Sequence, residues 1–72
     1  MKESIEKVIE TLTEYRREAV NNYYEYLRES RKQEEEDKQL SLMFKESATV
    51  EYGHVEAYNV AIDELRTALM SL

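Results

Sequence analysis

The chain has 72 residues, 36% of them charged, with one glycine and no proline or cysteine. That composition belongs to a single small helical domain and excludes strand-rich architectures, disulfide frameworks and thiolate zinc sites. Ten basic residues against sixteen acidic ones give a net charge of -6, which repels nucleic-acid phosphates and anionic lipid and leaves basic or neutral protein surfaces as the expected partners.

The opening Met1-Lys2-Glu3-Ser4-Ile5-Glu6 has no apolar h-region. No window approaches ~18 uninterrupted apolar residues, so export and membrane spanning are disfavoured and a cytoplasmic location is expected. Ser4 can cap a first helix, although Lys7 stands where a capping box needs Glu, and a start near Lys2 fits equally well. Ile5, Val8, Ile9, Leu12, Ala19, Val20, Tyr23 and Leu27 then keep one face, which predicts a helix over 4–32. Tyr15, Tyr26 and Tyr24 border that stripe. The opposite face carries Glu3, Glu10, Glu14, Glu18, Glu25 and Glu29 with Lys7, Arg17 and Arg28 between them, the make-up of a solvated helix surface.

From Arg31 to Gln39 the apolar pattern gives way to charge, and the turn is placed at about 33–37. No glycine or proline forces the reversal; Asp37 and Ser41 are both plausible N-caps for the next helix. An unbroken helix of ~100 Å is the alternative. A hairpin is preferred because two amphipathic stripes of matching length bury each other best by folding back.

The second helix is predicted over 37–72. Leu40, Met43, Phe44, Val55, Tyr58, Ile62, Leu65, Leu69 and Leu72 share one side at helical spacing. Val50, Gly53, Ala57, Val60, Ala61 and Ala68 lie beside them, so the apolar arc exceeds the ~100° that one packing partner needs. Gly53, Ala57 and Ala61 form a small-residue ridge where another helix can approach closely. A domain this small buries only ~60% of its unfolded surface and is marginal without a staple. The fold class is therefore read as all-α: an antiparallel two-helix hairpin that dimerises into a four-helix bundle, with these six residues as the dimer seam.

Closing the hairpin near Glu35 pairs residues whose numbers add to roughly 71, such as Leu27 with Phe44 and Ile9 with Ile62. Apolar meets apolar except at one level. There Arg16 faces Glu51 and His54, and a guanidinium on the core side needs a partner because an unpaired buried charge costs several kcal/mol. Arg16, Glu51 and His54 are accordingly read as a polar core layer, with Glu51 as the partner of Arg16.

The same Glu51-x-x-His54 puts a carboxylate and an imidazole on one helix face, and a dimer of hairpins would supply two copies. On these residues the chain resembles the half-bundle members of the ferritin-like di-iron group, which implies a metal site using Glu51 and His54. The group also needs a bridging Glu from the other helix. Glu14 and Glu18 lie on the wrong face for that, and the charge of Arg16 opposes a dication, so half the ligands are missing and no metal or cofactor is expected. One histidine and no cysteine leave little material for acid-base or nucleophilic catalysis, and no enzyme is expected. The segment from Tyr52 to Leu65, Tyr-Gly-His-Val-Glu-Ala-Tyr-Asn-Val-Ala-Ile-Asp-Glu-Leu, is similar to the second helix of small hairpin proteins of Gram-positive phages and prophages. That resemblance implies a small accessory protein that acts by binding a host or defence enzyme. The functional expectation is a non-enzymatic protein-protein interaction module that pairs with itself and meets a further partner through its acidic face or its tyrosine borders.

Overall fold

Nothing in the first third of the chain interrupts a helix, and none is interrupted. The structure, a computed structural model, describes residues 1–72 as two helices packed side by side, α1 (Lys2–Gln33) and α2 (Lys38–Met70). Together they form a rod of 55 × 14 × 11 Å. The helix starts at Lys2 rather than Ser4, behind Met1, which makes no side-chain capping bond. At the far end α2 stops at Met70, so Leu72 lies beyond it.

The reversal uses no left-handed residue. Glu34 keeps right-handed helical angles, and the amide of Asp37 still donates to the Gln33 carbonyl at 2.8 Å. A turn over 34–36 leads into Asp37, which is extended at φ -147 and ψ 91. Its carboxylate accepts from the Leu40 amide at 3.0 Å, an N-cap that satisfies one of the orphan donors of α2. Of the two expected caps Asp37 is the one used, because Ser41 is fully occupied elsewhere.

The inward faces follow a strict seven-residue period. In α1 they are Ile5, Ile9, Leu12, Arg16, Ala19, Tyr23, Tyr26, Ser30 and Gln33; in α2, Ser41, Phe44, Ala48, Glu51, Val55, Tyr58, Ile62, Leu65 and Leu69. All of these are buried or half-buried. A 3.5-residue repeat on both partners is the seam of a coiled coil. It differs from a stripe drawn through apolar residues alone. Val8 and Met43 are apolar but fall outside it, with Met43 59% exposed, whereas Tyr26, expected at the border, lies inside.

The middle and turn half of the seam are built from small residues. Ala19, Ala48, Ser30 and Ser41 are buried, and they let the two backbones come close. Ser30 Oγ donates to the Ser41 carbonyl at 3.0 Å, Ser41 Oγ donates to the Ser30 carbonyl at 2.8 Å, and the two hydroxyls lie 2.9 Å apart. This reciprocal lock places Ser30 opposite Ser41 and so sets the register of the whole hairpin. Aromatic rings flank the small residues: Tyr26 stacks on Phe44 at 6.3 Å, Tyr23 tilts against Tyr52 at 5.8 Å and Tyr15 against Tyr58 at 6.1 Å. Such pairs contribute about 0.5–1.5 kcal/mol each beyond their burial. Larger side chains, Ile62 above all, fill the open end.

Two outcomes are expected in denaturation at fixed protein concentration. Ser30→Ala removes hydrogen bonds without orphaning a carbonyl that the helix already uses, and should cost about 1 kcal/mol. Ser41→Leu must push the helices apart where the hydroxyls touch, and should cost about 1–3 kcal/mol; a leucine tolerated as well as alanine would contradict the close approach. At the turn, Asp37→Ala should cost about 0.5–2 kcal/mol through the lost cap, read in the same melts.

Candidate functional site

A side chain on a helix leans toward that helix's N-terminus, so in an antiparallel pair the two sets of side chains lean in opposite directions. This decides the partner of Arg16. Its guanidinium travels toward the start of α1, which is toward the end of α2, and Nη1 donates to Asn59 Oδ1 at 2.7 Å. Glu51 leans the other way. Its carboxylate lies 3.6 Å from His54 Nδ1 on its own helix, so the expected Arg16–Glu51 pair is replaced by two separate pairs. Nor is the layer a sealed core: the Glu51 side chain is 17% exposed and that of His54 is 54% exposed. The asparagine could have been found by applying the lean of the side chains as well as the register.

Glu51 and His54 do sit together, as the i, i+3 spacing requires. No third ligating side chain gathers with them into a set that could hold a metal ion. Glu14 and Glu18 are exposed on the outer face of α1, and Glu14 pairs there with Arg17.

The remaining candidates form a surface. On the side of α2 turned away from α1, a second seven-residue repeat runs through Met43, Glu46, Val50, Gly53, Ala57, Val60, Glu64 and Thr67, and every one of these residues is exposed. Val50 and Val60 are each 58% exposed, Leu42 flanks them at one end and Met70 at the other. Of the six seam residues expected from the sequence, Val50, Gly53, Ala57 and Val60 lie on this outer face, Ala68 is exposed beside it, and Ala61 is half-buried at the hairpin's edge. Between Lys45 and Arg66 α2 has no lysine or arginine but carries Glu46, Glu51, Glu56, Asp63 and Glu64.

The matching face of α1 is polar. Glu3, Glu10, Glu14, Glu18 and Glu25 are exposed and Glu29 is half-buried, with ion pairs from Arg17 to Glu14, Arg28 to Glu25 at 3.8 Å and Lys32 to Glu29 at 3.3 Å. Exposed pairs of this kind contribute little to stability, about 0–1 kcal/mol. Near the turn, Tyr24, Leu27, Arg28, Arg31 and Lys32 line an open depression on α1. No helix is long and apolar enough to cross a membrane. No protein-family model matches the chain, and comparison with curated proteins and with solved structures finds no significant match.

The pairing of Arg16 can be checked by double-mutant cycles in chemical denaturation. Arg16→Met and Asn59→Ala should couple by no more than about 1 kcal/mol, the bond being largely exposed. Arg16→Met and Glu51→Gln should be additive. A coupling above about 1 kcal/mol between Arg16 and Glu51 would restore the expected pair.

Proposed function

We propose that the chain acts as a non-enzymatic protein-protein interaction module whose docking surface is the outer face of α2. The observation that carries this reading is the row of exposed Met43, Val50, Ala57 and Val60 on the side of the helix that the hairpin does not use. Hydrophobic side chains scattered singly on a surface need no explanation, but a row at seam spacing along a helix is a recognition element. The half-exposed rings of Tyr15, Tyr24 and Tyr52 extend the apolar material toward the edges of the rod. The net charge of -6, which falls on the turn and α2 because α1 balances seven acidic against seven basic residues, discourages association with nucleic acid or anionic lipid. Work in the cytoplasm as an accessory or inhibitor protein, of the kind implied by the likeness of the Tyr52–Leu65 segment to phage hairpin proteins, fits a small binding module of this make-up.

The reading is tested by capture from a host lysate with three immobilised proteins: the wild type, Val50→Glu and Glu14→Lys. A discrete bound species, another copy of the chain included, should be kept by the wild type and by Glu14→Lys and lost by Val50→Glu. Circular dichroism should show the same helix content for all three, since Val50 and Glu14 are exposed. Binding that survives Val50→Glu and disappears with Glu14→Lys would move the docking surface to α1.

A further inference from the structure

We infer that the outer face of α2 is covered by α2 of a second copy of this chain, running antiparallel about a two-fold axis beside Val55. The inference rests on the reading of that face as a docking surface and adds its occupant. Three observations lead to it.

The first is area. The hairpin exposes 5723 Å², whereas a monomeric protein of this mass is expected to expose about 4,700 Å². The excess of roughly 1,000 Å² is similar to the ~800 Å² that each partner gives to a stable interface. A thin rod has that excess by shape, and a second rod laid alongside removes it.

The second is Gly53. A glycine inside a helix is unfavourable relative to alanine, and it is retained where the backbone needs an unusual angle or where something approaches closely. Gly53 has no positive φ, and a Cβ built on it meets nothing within 4 Å. The hairpin therefore makes no use of the missing side chain, whereas a second helix crossing at Gly53 does.

The third is the order of residues along the outer repeat. Run in reverse against itself, the row places Val50 against Val60 of the partner subunit, Gly53 against Ala57 of the partner subunit and Met43 against Thr67 of the partner subunit. Leu42 comes beside Met70 of the partner subunit. Small residues thus occupy the crossing point and valines sit on both sides of it, by symmetry, as an isologous interface requires. A parallel arrangement sets Val60 against Val60 of the partner subunit and Gly53 against Gly53 of the partner subunit, which crowds one level and leaves a void at another. The arrangement has one unfavourable feature. Glu46 faces Glu64 of the partner subunit, so the dimer strengthens when salt screens the repulsion, whereas a basic partner helix would be released by salt.

The absence of cysteine makes a cross-linking test clean. Wild-type protein at ~100 µM should sediment at twice the 8.6 kDa of the chain, and raising the salt should tighten association. Val60→Glu should retain its helix content and raise the dissociation constant by about 100-fold or more, since it places a charge in the seam. Under mild oxidation a mixture of Val50→Cys and Val60→Cys proteins should form the mixed disulfide. Each variant alone should not, because its two cysteines lie ten residues, about 15 Å, apart along the antiparallel seam, beyond the ~7 Å that a disulfide spans. Faster cross-linking of either variant alone overturns the antiparallel register. A monomer at ~100 µM overturns the second copy as occupant, while the docking-surface reading is decided separately by the loss of captured species in Val50→Glu.

Discussion

Two helices touching along one line can bury only that line. Everything else in this hairpin depends on how the sequence divides its apolar residues under that constraint. In α1 the face turned away from the seam is polar, made of Thr11, Glu14, Glu18, Asn21, Glu25 and Arg28, although Val8, Tyr15 and Tyr24 are also exposed. In α2 it is not. Ile62 and Ala48 are consumed by the seam, yet Val50, Ala57 and Val60 remain on the far side with nothing to cover them. The asymmetry between two helices of 32 and 33 residues is what turns a fold into a surface with a direction.

The seam is also uneven along its length. Toward the turn it is narrow, closed by Ser30, Ser41 and Ala48 and roofed by the Tyr26 and Phe44 rings; toward the termini it is filled by branched and longer side chains such as Ile9, Leu12, Ile62 and Leu65. Small residues contribute little transfer energy of their own, and their value lies in the backbone proximity that allows the serine hydroxyls to reach across. Buried hydroxyls that are fully satisfied specify register more than they add stability, because any slip leaves them unpaired. No buried side-chain polar atom of this hairpin is without a hydrogen-bond partner.

The helices, their register and the surplus of apolar residues on α2 were legible in the sequence because each depends on periodicity, which a helix reproduces faithfully. Boundaries and partners were less so. A stripe drawn by hydrophobicity passes through Val8 and Met43, while the seven-residue period admits Ser30 and Gln33, which are polar. Ser41 looked like a cap because serine favours that role in isolation, and only the opposing Ser30 shows why it is used otherwise. The Arg16–Glu51 pair failed for a directional reason: residue level is a property of Cα, but a guanidinium acts about a turn away. Whether Glu51 and His54 ever meet a third ligand could not be read from i, i+3 spacing, which brings two groups together and says nothing of the rest.

The turn has a consequence for topology. Helix ends at Gln33, a turn spans residues 34–36, Asp37 is extended, and helix resumes at Lys38. The direction of half the molecule is therefore governed by the four residues 34–37, with no glycine to make the reversed state the only comfortable one. Two straightened chains laid head to tail would satisfy the same seam, Ser30 of each chain against Ser41 of the other. What selects the folded-back form is proximity: a tether of a few residues holds the two halves of one chain at an effective concentration on the order of millimolar, well above that at which separate chains usually meet. The short turn is thus what keeps the pairing of the two helices within one chain.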